Sequence, residues 1–160
     1  MKILVISDTH GFEYETEEIL KKERNSDIII HLGDGGADLL EMKEYTAFKP
    51  VYNIKGNCDT SAYNFPLRLI SYFDSIKFYA CHGHTHNVKT NLMALYFAAK
   101  EQDCRIALFG HTHVQFKDEY DGIHLFNPGC AANGKYGIMT VTENGFELEH
   151  RSLFDAPDEK

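Results

Sequence analysis

The sequence is short of the features that mark small secreted or nucleic-acid-binding proteins. Its four cysteines, Cys58, Cys81, Cys104 and Cys130, are widely spaced and include no Cys-x-x-Cys pair, which argues against both a disulfide framework and a zinc knuckle. Cys81 and Cys104 lie in or beside apolar runs and read as core thiols. No block of five or more basic residues occurs, and the formal net charge is -8 with the histidines neutral. Duplex DNA would be repelled by most of such a surface, because nucleic-acid affinity comes largely from Lys and Arg neutralising phosphates; a small or locally exposed phosphate remains open. Before Asp8 there are only four consecutive apolar residues, Ile3-Leu4-Val5-Ile6. That is too few for a signal peptide and far too few for a membrane span, so a cytoplasmic protein with no membrane partner is expected. No low-complexity tract or linker interrupts the 160 residues, of which 43% are hydrophobic, and a single domain over residues 1–160 is expected. A chain of this length buries roughly 70% of the surface that it exposes unfolded, and it needs no staple to fold.

What the sequence does have is a series of short apolar runs, each ending in a polar, glycine-containing loop. Residues 2–7 are rich in Ile and Val, too short for a helix, and stop at Ser7-Asp8-Thr9-His10-Gly11; this pattern predicts a strand buried on both faces. A charged helix with a narrow Ile19/Leu20 stripe is expected over 14–24. A second strand, Asp27–Leu32, runs into Gly33-Asp34-Gly35-Gly36; a short helix is expected at 37–46, and a third strand at 50–54 ends in Gly56-Asn57-Cys58-Asp59. Three strand–helix units in a row imply parallel pairing with right-handed crossovers, which brings all three loops to one sheet edge, where sites form in open α/β sheets.

Residues 67–73 and 76–81 read as a hairpin around Asp74-Ser75 and deliver His82-Gly83-His84. A helix over 90–101, with Thr90 or Asn91 as N-cap, precedes a strand over 104–109 that delivers Gly110-His111-Thr112-His113. Runs near 114–120, 122–126, 136–142 and 145–153, divided by Gly122, Pro128-Gly129 and Asn144-Gly145, read as antiparallel strands. The predicted architecture is two mixed sheets packed together with helices outside.

Pooled, the loops offer two carboxylates, one carboxamide and several imidazoles. Oxygen and nitrogen donors without thiolate suit Mn, Fe, Zn, Ni or Co. About seven such groups exceed the needs of one tetrahedral ion, whereas two ions sharing a carboxylate, about 3.5–4 Å apart, use them all and are a common device for phosphate ester hydrolysis. Singly, each residue has a structural explanation. Asp8 could cap the following helix, Asp34 could be a turn residue, Asn57 after Gly56 looks like a turn, and His31, His124 and His150 read as structural. Those explanations require independence, yet every strand on the predicted edge ends in a ligand-type residue beside a glycine.

Taken in order, Asp8-x-His10, Gly33-Asp34, Gly56-Asn57-x-Asp59, His82-Gly83-His84, Gly110-His111-x-His113 and Asn127-Pro128-Gly129 resemble the blocks of the calcineurin-like metallophosphoesterases. The resemblance extends over residues 3–130 and is strongest to the small YfcE-type phosphodiesterases, which also resemble a subunit of the retromer coat. It implies an α/β class fold, an α/β/β/α sandwich of two mixed sheets flanked by helices. It further implies two divalent metal ions, manganese above all, with Asp8, His10 and His113 on one, Asn57, His82 and His111 on the other, and Asp34 bridging. The implied activity is hydrolysis of a small or exposed phosphodiester by in-line attack of a metal-bridging hydroxide, in a protein that forms homodimers or larger homo-oligomers. Asn57, Cys58, Asp59 and His84 are the residues placed next to the chemistry: Asp59 to orient its loop or assist proton transfer, and His84 either behind the ligands or facing substrate. A phosphomonoesterase with the same centre and a non-catalytic protein-binding scaffold like the retromer subunit are the alternatives. No Arg in a phosphate-clamping loop separates diester from monoester.

The two Gly-His-Thr-His stretches, residues 83–86 and 110–113, are then not equivalent. In the later one both imidazoles are expected to face metals; in the earlier one the ligand is His82, just outside the tetrapeptide, and His86 is expected to be solvated. Larger superfamily members carry His in the slot of Cys58, and a thiol of reference pKa about 8.5 is a poorer match to the proton-donor role. Rates on a series of aryl phosphodiesters are therefore expected to fall as leaving-group pKa rises; a flat dependence with chemistry limiting would refute this role for Cys58.

Overall fold

The computed structural model describes residues 1–61 and 63–155. Its first sheet is formed by β1 (Lys2–Ile6), β2 (Ile28–His31), β3 (Val51–Asn53), β9 (Lys135–Thr142) and β10 (Gly145–Ser152), in the order β10-β9-β1-β2-β3. β1, β2 and β3 run parallel with Ile6 opposite His31 and His31 opposite Asn53. Their carboxyl ends are thus level, and the three loops that follow emerge side by side. The second sheet is formed by β4 (Arg68–Phe73), β5 (Ile76–Cys81), β6 (Ile106–Leu108), β7 (Phe116–Tyr120) and β8 (Ile123–Asn127), in the order β4-β5-β6-β8-β7. Here Ala80, Leu108 and Phe126 share one register line across parallel β5, β6 and β8, and a second set of loops emerges together.

Alternation along each strand explains the layers. On β1, Ile3 and Val5 face the other sheet, against Phe78, Ala80, Ile106, Leu108 and Phe126, while Leu4 and Ile6 face outward onto Ile19 and Leu20 of α1 (Glu13–Lys22). The outer face of the second sheet, with Tyr79, Cys81 and Ala107, is covered by Leu95, Tyr96 and Ala99 of α4 (Met93–Glu101). Both faces of the central strands are therefore buried, which is why their sequences are continuous apolar runs rather than alternating ones. The arrangement is the α/β/β/α sandwich expected from the sequence. Cys81 and Cys104 are buried core thiols. Among the described residues no helix is long and apolar enough to cross a membrane.

Three local expectations are corrected. The helix expected at 37–46 is two single turns, α2 (Asp38–Glu41) and α3 (Lys43–Thr46), broken at Met42, whose ψ of 49° leaves the helical region; the break turns Met42 and Tyr45 onto the cluster beneath α1. The helix expected from 90 begins at Met93, where Asn91 Oδ1 accepts the Met93 N–H at 3.0 Å. The tail is not uniformly antiparallel. β7 and β8 form a hairpin through Asp121-Gly122, both residues at positive φ, but β8 also lies parallel to β6, and the Pro128-Gly129 break then carries the chain across to the first sheet.

Phe78 is fully buried between the sheets and stacks on Phe73 with ring centroids 4.6 Å apart. Phe78→Ala is expected to lower unfolding stability by roughly 3–5 kcal/mol, the combined transfer and cavity effect at such a site, measured by urea denaturation.

Candidate metal centre

The two sets of loops meet at one edge of the sandwich. Asp8 ends β1 fully buried; its Oδ2 accepts the Ser7 hydroxyl at 2.5 Å and the His111 N–H at 3.1 Å, but Oδ1 has no hydrogen-bond partner among the described residues. Around that oxygen stand imidazole nitrogens: His113 Nε2 at 3.1 Å, His10 Nε2 at 3.6 Å and His82 Nε2 at 3.9 Å. His10 Nε2 and His113 Nε2 face each other at 3.3 Å. Two imidazole nitrogens at that distance over a buried carboxylate oxygen share a proton or a cation.

The tautomer of His82 follows from its surroundings. Its Nδ1 lies 2.9 Å from the Leu32 carbonyl oxygen, which can only accept, so Nδ1 carries the hydrogen and Nε2 presents a lone pair in the neutral ring. That lone pair points at Asn57 Oδ1 (3.1 Å) and Asp34 Oδ2 (3.3 Å), both acceptors. Three acceptors converging without a donor need a positive charge between them. Burial alone would push the His82 pKa down, but Asp34 and Asp8 outweigh it and raise it. Burial likewise opposes ionisation of Asp34, while His82 and the Cys58 N–H, which donates to Asp34 Oδ1 at 2.7 Å, hold its carboxyl well below the usual range. Asp34 Oδ2 is also 4.0 Å from His10 Nε2, so it stands between the two halves.

Ligand atoms accordingly fall into three overlapping groups, Asp8/His10/His113, Asp34/His82/His111 and His10/Asp34/Cys58, each with its atoms within 4.8 Å of one another. The donor set, the orphaned Asp8 Oδ1 and the forced tautomer of His82 all fit divalent cations.

The backbone is bent to make this arrangement. Asp8, His10, Asp34, His111 and His113 have φ of 58°, 48°, 59°, 67° and 63°, the left-handed region that non-glycine residues seldom adopt. Neighbours hold them there. Asp59 places both oxygens on backbone N–H groups, those of Asp34 (2.9 Å), Gly35 (2.8 Å) and Gly56 (2.7 Å), and so ties the β2 loop to the β3 loop. Asn127 donates to the Gly110 carbonyl (2.9 Å) and Thr112 Oγ1 (3.0 Å) while accepting from Gly129 N–H, which fixes the loop carrying His111 and His113. The buried Cys130 thiol donates to the Asp8 carbonyl at 3.3 Å, and Thr9 bonds Asp38 at 2.6 Å. His31, expected to be structural, accepts the Gly33 N–H on Nδ1 and meets Thr9 Oγ1 through Nε2; burial pushes its pKa down to about 4, so it stays neutral. The roles of Ser7, Thr9, Asn127 and Cys130 were not read from the sequence. A strand-end hydroxyl before Asp8 was the available signal for Ser7, whereas the others act on partners far along the chain.

Cys58 is exposed, with its sulfur 3.4 Å from Asn57 Nδ2; burial and then Asp34 push its thiol up. His84 is half-buried beside His82 and His111, its ring centroid 5.4 and 6.2 Å from theirs, and its Nδ1 is buried without a partner among the described residues. The expectation that His86 is solvated is corrected: it is half-buried against Tyr79, whose hydroxyl is 3.1 Å from Nε2, because the turn over His84–His86 folds it back onto β5.

This fold and donor set define a metallophosphoesterase. The calcineurin-like phosphoesterase superfamily domain matches residues 1–144, and the chain belongs to that superfamily. It is 35% identical over 148 residues to the probable metallophosphoesterase YsnB of Bacillus subtilis, covering 88% of this chain and 85% of the relative. It is 28% identical over 157 residues to a phosphodiesterase of Methanocaldococcus jannaschii, covering 88% and 90%. Among solved structures, a predicted phosphoesterase from Streptococcus pneumoniae TIGR4 superimposes with a TM-score of 0.77 at 26% identity, covering 94% of this chain and 88% of that one. The superfamily implies divalent metal ions.

A Cβ at Gly56 would collide with the carboxylate and N–H of Asp34. Gly56→Ala is therefore expected to lower bound metal per chain, measured by mass spectrometry of the metal content, while His86→Ala leaves it unchanged.

Proposed function

We propose that the protein is a metal-dependent phosphodiesterase with a two-metal centre. The observation that carries this reading is the pair of ligand groups, Asp8/His10/His113 and Asp34/His82/His111, with the Asp34 carboxylate standing between them. Asp8, His10 and His113 would hold one ion, Asn57, His82 and His111 the other, and Asp34 both, since its Oδ2 lies between His82 and His10 and a carboxylate oxygen has lone pairs for two ions where an imidazole nitrogen has one. When bound, divalent ions polarise phosphoryl oxygens and lower the pKa of water from about 15.7 toward about 7. Manganese is the proposed ion on the family resemblance, with Ni, Zn, Fe or Co as alternatives that the same imidazole, carboxylate and carboxamide donors would suit.

The chain's own groups do the rest. Asn57 aims Oδ1 at the cluster and anchors its Nδ2 on Cys58. The Cys58 thiol, with its pKa raised, keeps its proton at neutral pH and stands where a leaving oxygen can take it. His84, pushed down by burial, stays neutral with its ring beside His82 and His111, facing the substrate. Asp59 holds the Asp34 and Gly56 backbone in place and so sets where Asp34 points. A recess of about 320 Å³ bounded by His10, Asp34, Cys58, Thr60 and Tyr63 opens beside the cluster, which suits a small or exposed diester rather than a duplex. A soluble cytoplasmic enzyme forming a homodimer or larger homo-oligomer is part of the same proposal.

Protein stripped with chelator and reloaded with Mn or Ni is expected to hydrolyse a chromogenic phosphodiester, with Asp34→Ala reduced to the stripped background. No metal-dependent turnover of diester or monoester would leave the binding-scaffold alternative; turnover of the monoester alone would replace the diester assignment.

A further inference from the structure

A second recess lies beside the turn that follows His82. β4 is an edge strand, and its first residue, Arg68, lies opposite Cys81, the residue before His82. The single turn His84–His86 follows directly. Between turn and strand lies a recess of about 430 Å³ lined by Leu67, Arg68, Tyr79, Thr85 and His86. Its floor is rigid. Tyr79 is 1% exposed, its hydroxyl is 3.1 Å from His86 Nε2, and His86 Nδ1 is 3.0 Å from Thr85 Oγ1, so the imidazole is fixed through both nitrogens. Arg68 stands at the mouth, exposed, with no carboxylate within 4.0 Å among the described residues.

The charge around this recess runs against that of the molecule. Arg68 is close enough to act on Tyr79 and His86, Lys55 on His84, and Lys89 on His111. A separate recess, which shares Ala37, Asp38 and Tyr63 with the one beside His10, is lined by Glu13, Glu17, Asp38, Glu41 and Glu44 against a single cation, Lys43. In a chain of net charge -8, three cations gathered about His84, His86 and His111, with the acids concentrated in a different recess, give a bound diester a preferred direction. An anionic arm would lie toward Arg68.

We propose that this recess receives one ester arm of the phosphodiester, and that the arm it selects carries a phosphate monoester of its own. Arg68 takes that terminal phosphate, for which the guanidinium fork is matched. The Tyr79–His86 floor and the Leu67 rim, 51% exposed, take the organic part between the two phosphorus atoms. His84, beside His82 and His111, and His86, in the recess with Arg68, are one short turn apart, and at a rise of about 2 Å per residue an arm the size of a nucleoside is long enough to span that turn. The proposal rests on the phosphodiesterase reading of the ligand cluster. Arg68 is a specificity residue in it, with no part in the reacting atoms.

Calorimetric titration of manganese-loaded protein compares thymidine bisphosphate, phosphorylated on both hydroxyls, with thymidine monophosphate, phosphorylated on the primary hydroxyl alone. The bisphosphate is expected to bind about tenfold more tightly, the effect of one charge-assisted contact. Arg68→Gln removes the difference without changing monophosphate affinity, and Arg68→Lys restores part of it. Equal affinities in the wild type, or a preference that survives Arg68→Gln, would overturn the proposal. The p-nitrophenyl esters of the same two nucleotides are assayed in parallel. If neither is turned over, the phosphodiesterase reading falls while the titration still decides the recess; if both are turned over equally by wild type and by Arg68→Gln, the reading stands and the recess is overturned.

Discussion

The buried carboxylate of Asp8 is the constraint on which the other features depend. A carboxylate taken out of water costs several kcal/mol unless it is paired, and here one oxygen is satisfied by Ser7 and the His111 N–H while the other meets only imidazole nitrogens and the Asp34–His82–Asn57 group beyond them. Among the described residues, nothing resolves this excess of acceptors except protonation of the histidines. A divalent cation resolves it directly, so metal binding and stability of this edge are linked, with ions that bind the folded chain adding to its stability.

The same constraint explains the strained backbone. Five ligand-type residues sit at positive φ, each at a cost of order 1–3 kcal/mol, and a loop left to itself would relax. The two sheets prevent it. With both faces buried and the strand ends held level, each loop leaves a fixed point, and Asp59 and Asn127 then tie adjoining loops through backbone N–H and carbonyl groups. The rigidity of the sandwich thus serves the geometry of six loops, none of which would hold its shape alone.

Much of this was legible in the sequence. Strands buried on both faces leave continuous runs of Ile, Val and Leu, and ligand-type residues beside glycine at the ends of such runs are rarely coincidental when they recur. What local pattern could not carry was any feature decided by a distant partner. The break at Met42 answers to packing beneath α1. The parallel placement of β8 beside β6 depends on a neighbour that no turn signal reports. His31, read as structural, and Asp59, read as orienting its loop, do have those roles, but their partners, Thr9 and the backbone of Gly33, Asp34 and Gly35, were not readable from local pattern. Asn127 and Cys130 carry no mark of their contacts with Gly110 and Asp8, which lie 17 and 122 positions away.

The two Gly-His-Thr-His stretches divide the matter most clearly. The sequence by itself determined that imidazoles would stand at two strand ends, because apolar periodicity and glycine are local signals read over a few residues. Which imidazoles turn inward was decided only in three dimensions. After β6, His111 and His113 take left-handed conformations, and the His111 N–H is held by Asp8 from 103 residues away. After β5, Gly83 at φ 113° starts a tight turn that sends His86 back onto Tyr79 and leaves His82 as the inward donor. Past the end of a strand, side-chain direction follows loop dihedrals and long-range hydrogen bonds, and four identical residues can therefore face opposite ways.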